Sequence, residues 1–166
     1  APPRPASTCS RVTSAVRWAR GYRAECLPAC WLLKRHVSHV GIDFLGLQAA
    51  FLLGKGIDYF DNSRRATRVQ QCYAMENPRK FEGYGEHCWG ITASEGPGPA
   101  TLKLNGIERE FGDYVGRGVP YGPDDGTLAP WAVVASLPFA PEIVLQALAF
   151  CIHQAKLKTF NAYGFK

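Results

Sequence analysis

The residues with most to offer chemically fall in one stretch, Phe81-Glu82-Gly83-Tyr84-Gly85-Glu86-His87-Cys88-Trp89-Gly90-Ile91-Thr92-Ala93-Ser94-Glu95-Gly96-Pro97. Carboxylates beside aromatic rings are what a sugar site needs. Ring faces stack on the C–H surfaces of a pyranose, while carboxylates hydrogen-bond hydroxyls and move protons. The same residues allow a plainer reading, in which Tyr84 and Trp89 anchor the loop in the core and Glu86 and Glu95 are solvated charges. A second loop, residues 117–127, adds the adjacent carboxylates Asp124 and Asp125 just before a helix start. Here too there is a local alternative, with Asp124 a turn residue and Asp125 the neighbour of an N-cap.

These loops need elements to hold them. Residues 39–53 form a mostly apolar stretch that reads as a helix ended by Gly54 and Gly56. A second helix is expected to begin near Asp61 or Asn62, both good N-cap types, and to run to the Asn77-Pro78 stop. A short helical turn is expected at residues 88–93. Thr101-Leu-Lys-Leu-Asn105-Gly106-Ile-Glu-Arg-Glu-Phe111 alternates apolar and polar residues around Asn-Gly, the strongest short hairpin signal. A two-stranded hairpin is marginal alone, so it should lie on a helical body as an insertion. Thr127 can cap a short apolar helix through Ala135, and Pro141 suits the first turn of a helix reaching about Lys156, with Ile143, Val144, Ala147, Leu148 and Cys151 at helical spacing. The expectation is a mainly α chain with an inserted β-hairpin, its helices joined by long loops of the kind that carry function.

Composition narrows the classes. Hydrophobic residues make up 46% and charged residues 20% of the 166, as in a folded domain. The net charge of +5 suggests nucleic acid until its location is traced. Residues 1–36 hold seven basic side chains against Glu25 alone, which leaves the other 130 residues at −1. The domain itself is therefore not a basic one, and no nucleic-acid partner is expected. The basic tail at 1–34 lacks a clean period and is expected to be poorly ordered. Its Cys26, Cys30, His36 and His39 have too short a middle spacer for a zinc finger. Asp124-Asp125-Gly126 shares its order with calcium loops but lacks their remaining ligand spacings, so neither a metal nor a cofactor is expected. Cys72 and Cys151 sit in apolar helical patterns and read as core thiols. No apolar run is long enough to span a membrane, so no membrane partner is expected either.

Four blocks, taken in order, resemble the signature blocks of the glycoamylase-like family, which includes β-1,2-glucanases and domains attached to cyclic β-1,2-glucan synthases. They are Gly56-Ile-Asp-Tyr-Phe-Asp-Asn-Ser-Arg-Arg-Ala-Thr67, Gly83-Tyr-Gly-Glu-His-Cys-Trp-Gly-Ile-Thr-Ala-Ser-Glu-Gly-Pro97, Gly122-Pro-Asp-Asp-Gly-Thr-Leu-Ala-Pro-Trp131 and Ser136-Leu-Pro-Phe-Ala-Pro-Glu142. The resemblance covers residues 36–166 and leaves 1–34 unmatched. It implies a partial (α/α)6 toroid whose loops line a central cleft, and a glycoside hydrolase acting on β-glucan, most of all β-1,2-linked glucan, by hydrolysis or transglycosylation. It implies that Glu86 is the general acid, with a pKa raised by partial burial against Tyr84 and Trp89. Asp58, Asp61, Asn62 and Arg64 would line the cleft wall, and Tyr84, His87, Trp89, Glu95, Asp124 and Asp125 would contact sugar. Glu95 stands where the family has Asp. The family fold is longer than this chain and its further carboxylate would follow Phe165, so a fragment is expected. Its apolar helix faces would then be open to self-association. The alternative is a non-catalytic glucan-binding remnant or a fragment without function.

Overall fold

The computed structural model describes Asp43, residues 45–47, Gly56, and residues 58–104, 106–119, 122–154, 160–161 and 164–165. The basic tail, the Cys26/Cys30/His36/His39 series and nearly all of the expected helix at 39–53 lie outside the described residues.

Helix α1 (Tyr59–Glu76) opens earlier than the sequence suggests, because Asp58 and not Asp61 or Asn62 is the cap. Asp58 is extended, at φ −96° and ψ 176°, and its carboxylate accepts the Asp61 N–H at 2.6 Å. The helix ends where expected. Asn77 turns left-handed at φ 43°, and its N–H donates back to the Tyr73 carbonyl at 2.9 Å. The Asn77 carboxamide then clasps the next segment, donating to the Phe81 carbonyl at 2.7 Å and accepting its N–H at 2.8 Å. The buried face of α1 is unusual in being small and polar: Ser63, Ala66, Thr67, Gln70, Gln71 and Ala74 recur at intervals of three and four. A buried amide has to be hydrogen-bonded, so this face is built to grip a loop and not another apolar helix.

Helices α2 (Pro130–Ala135) and α3 (Pro141–Gln154) close over the other side. Both begin on proline, whose missing N–H costs nothing in a first turn. Thr127 does not cap α2. Ala129 holds that position, and the Thr127 N–H instead donates to Asp125 Oδ1 at 3.0 Å. Trp89, 1% exposed, sits among Ala74 of α1, Val133 of α2 and Val144 and Ala147 of α3, so a loop residue forms the centre of the core. A second cluster joins Tyr73, Ile91 and Val119. Phe60 packs on Phe139 at 5.3 Å, and Arg68 pairs with Glu142, which tie α1 to the start of α3.

The expected hairpin is present. Strands β2 (Ala100–Leu104) and β3 (Ile107–Phe111) pair antiparallel with Leu104 opposite Ile107, and Gly106 between them has φ 80°, while Asn105 lies outside the described residues. An outer ladder encloses its base, formed by β1 (Ala93–Glu95) and β4 (Tyr114–Gly116) with Ala93 opposite Gly116. A further pair, β5 (Phe160–Asn161) and β6 (Gly164–Phe165), lies near the C-terminus. The helical turn expected at residues 88–93 does not form. Gly90 at φ 115° breaks it, and Ala93 already belongs to β1. Only glycine fits at 90, since a Cβ there would lie 2.9 Å from the Ala129 carbonyl oxygen. Three helices and three two-stranded sheets make the described residues a mixed α and β arrangement, where the sequence suggested a mainly α one.

Candidate functional site

Residues 84–91 cross the buried face of α1, held there by two hydrogen bonds and by Trp89. Gly85 and Cys88 exchange backbone hydrogen bonds at 3.2 Å each, closing a tight turn with Glu86 and His87 at its tip. Gln71 Nε2 donates to the Glu86 carbonyl at 2.8 Å, and Gln70 Oε1 accepts the Ile91 N–H at 2.9 Å. Trp89 roots the strand of loop between them in the core. The product is an exposed Glu86 side chain on a fastened turn. The burial against Tyr84 and Trp89 that the family resemblance implied for Glu86 is therefore absent: Trp89 turns into the core, and the carboxylate stands clear of it.

The two loops meet through the aspartates. Asp124, 4% exposed, accepts the Tyr84 hydroxyl at 2.7 Å and the Gly126 N–H at 3.1 Å on Oδ1, and the Tyr73 hydroxyl at 2.9 Å on Oδ2. Burial first, and then the Asp124 carboxylate, push both phenols well above their usual range, so Tyr73 and Tyr84 serve as fixed donors. Asp125 faces the opposite way, toward the base of the hairpin. Arg117 Nε reaches its Oδ1 at 2.6 Å and Arg117 Nη2 its Oδ2 at 2.7 Å, a bidentate pair completed by the N–H groups of Thr127 and Gly112. Burial acts to raise the Asp125 pKa, but the hydrogen bonds from Arg117, Thr127 and Gly112 outweigh it and bring the carboxyl down to about 2. A carboxylate has about four lone-pair sites, and these protein donors use all four on Asp125 and three on Asp124. The aspartate pair frames the two loops and also lines an open cleft; the resemblance implied contact with sugar hydroxyls.

The other expected residues are spread out. Asp58 caps α1 and also accepts the Gly46 N–H at 2.9 Å. Asp61 accepts from Arg65 Nε at 2.7 Å, with Arg64 Nε 3.8 Å away and its side chain 53% exposed, while Asn62 is buried. These four sit at the N-terminal end of α1, which the helical rise places about 10–20 Å along the axis from Gln71. They form a group separate from the Glu86 turn. His87 packs on Phe150 with ring centroids 5.9 Å apart. Glu95 is exposed on β1 opposite Tyr114. An open cleft of about 560 Å³ lies between the hairpin and the second loop, lined by Arg79, Phe81, Arg109, Phe111 and the two aspartates among others. Glu86 does not line it, so this cleft is not where its chemistry would occur. Cys72, Cys88 and Cys151 are half-buried, and burial raises the thiol pKa of Cys88 and Cys151. Sequence reasoning missed Gln70, Gln71, Tyr73 and Arg117. The glutamines left one signal: they share the helical phase of Ala66 and Ala74.

A family model described as "Glycoamylase: Putative glucoamylase" matches residues 6–166, reaching further toward the N-terminus than the motif blocks do. The chain belongs to the glycoamylase family. Among curated relatives, an exo β-1,2-glucooligosaccharide sophorohydrolase (non-reducing end) of Parabacteroides distasonis is 31% identical over 123 residues, which are 74% of this chain and 15% of that protein. Among solved structures, the endo-β-1,2-glucanase of Chitinophaga pinensis, in complex with sophorotriose and glucose, superposes with a TM-score of 0.66 at 26% identity, covering 82% of this chain and 28% of that one. A β-1,2-glucanase of Parabacteroides distasonis gives a TM-score of 0.66 at 27% identity, covering 81% and 17%. The chain thus spans less than a third of the length of each of these family members.

Proposed function

We propose that this chain carries the general acid and part of the substrate cleft of a glycoside hydrolase acting on β-1,2-linked glucan, by hydrolysis or transglycosylation, within a partial (α/α)6 toroid. The observation that carries the reading is Glu86, an exposed carboxylate on a turn fastened to α1 and to the core, in a family whose relatives are named for β-1,2-glucan cleavage. In this reading Glu86 gives its proton to the glycosidic oxygen as the bond to the sugar breaks. Asp125, with all four of its lone-pair sites used by protein donors, is not the second carboxyl that such chemistry requires. Leu145 and Ile152, exposed on α3, are where self-association would occur.

The test is incubation of the full chain with linear β-1,2-gluco-oligosaccharides and chromatography of the products. Glu86→Gln is expected to lower turnover by about 10²–10⁴-fold. Unchanged turnover in that variant refutes the assignment. Calorimetric binding of the oligosaccharides without any product from the unaltered chain favours a glucan-binding role instead.

A further inference from the structure

The centre of the Glu86 turn is held by one side-chain hydrogen bond, from Gln71, beside the packing of His87 on Phe150. Gly85 and Cys88 pin the ends of the turn, but the peptide joining Glu86 to His87 is its central unit. The central peptide of a tight turn is the part that rotates between turn types; from type I to type II, ψ of its first residue moves from about −30° to about +120°. In this turn the first central residue is Glu86. That rotation leaves φ of Glu86, and with it the direction of the Glu86 Cβ, unchanged; what sets the place of the carboxylate is where the tip of the turn sits on α1, since the turn can tilt as a body on the Gly85 and Cys88 pair. The preceding loop is anchored at Tyr84 by Asp124, while Gly83, at φ 92°, and Gly85 have open space around them.

The carbonyl of that peptide is the group Gln71 holds. Gln71 is 8% exposed and lies on a helix packed through Tyr73 and Ala74, so its carboxamide is a fixed donor, 2.8 Å from the Glu86 oxygen. Gln70 beside it secures the far end of the loop at Ile91. We infer that Gln71 is a positioning residue for the general acid, holding the tip of the turn against α1 at the place from which Glu86 reaches the glycosidic oxygen. This rests on the assignment of Glu86 above and adds to it a residue that never touches substrate.

The experiment uses the full chain, with Gln71→Met removing the donor at similar volume and Glu86→Gln alongside. Each is assayed on β-1,2-gluco-oligosaccharide and on an aryl β-sophoroside whose dinitrophenolate leaving group departs without a proton. Gln71→Met is expected to lower kcat on the oligosaccharide about 10- to 100-fold, as a misplacement of about 1 Å does, with KM within about twofold. On the aryl glycoside most of the rate should return, the pattern a missing acid gives. Equal losses on both substrates, or a thermal midpoint that falls with them, would mean a structural role and overturn the inference. So would full activity of Gln71→Met on the oligosaccharide while Glu86→Gln is impaired. If Glu86→Gln itself leaves oligosaccharide turnover intact, the assignment of the acid fails, and this inference falls with it.

Discussion

Replacing Arg117 by methionine tests how the two loops and the hairpin are joined. Arg117 is fully buried and donates five hydrogen bonds: two to Asp125, two to Ser94 and one to the Gly112 carbonyl. Removing one partner of a buried ion pair leaves the other charge uncompensated, at about 3–5 kcal/mol. That is the loss in unfolding free energy expected at pH 7 from urea titrations followed by tryptophan fluorescence. The pH dependence separates the charge from the packing. In the unaltered chain the Asp125 pKa is lowered from the ordinary 3.8 to about 2, a difference worth about 2 kcal/mol. Because the unfolded chain holds that proton more tightly, the contribution is fully present above about pH 4 and is lost as the pH falls through about 2. Without the guanidinium, burial pushes the carboxyl upward, so the variant gains relative stability on acidification. The gap between the two proteins should therefore shrink by about 2 kcal/mol or more between neutral pH and about pH 2. A gap that stays constant with pH would show that Arg117 acts through packing alone, and would refute the electrostatic account.

Two further substitutions probe the same frame. Gly96→Ala would place a Cβ 2.3 Å from the Gly112 carbonyl oxygen and 2.5 Å from Arg117 Nη2. It should destabilise by about 1–3 kcal/mol or more, read in the same titrations, and a neutral result would contradict the close crossing of strands at the hairpin base. Asp58→Ala removes the acceptor for the Asp61 and Gly46 N–H groups. A loss of about 1 kcal/mol with unchanged sugar binding by calorimetry would identify Asp58 as a helix cap; loss of binding without loss of stability would return it to the cleft wall.

What was legible in the sequence was local. The hairpin with Gly106 between its alternating strands, the Asn77-Pro78 helix stop and the proline start of α3 each depend on backbone preferences within a few residues. The ordered motif blocks pointed to the family because they are contiguous text. Boundaries failed where a side chain chose between neighbouring partners: Asp58, not Asp61, turned its carboxylate onto the free N–H groups of α1, and Gly90 broke the turn expected at 88–93 because it passes close to Ala129. The roles of the site residues required the tertiary structure. Nothing within a few positions of Asp125 announces that Arg117 will meet it with two hydrogen bonds, or that Tyr73 and Tyr84 will converge on Asp124 from 51 and 40 residues away. Trp89 and Glu86 are near neighbours with the same prospects in the sequence, yet one is central to the core and the other exposed. That division was decided by where α1, α2 and α3 enclose apolar space, and by two glutamines on the buried face of α1 that grip the loop between them.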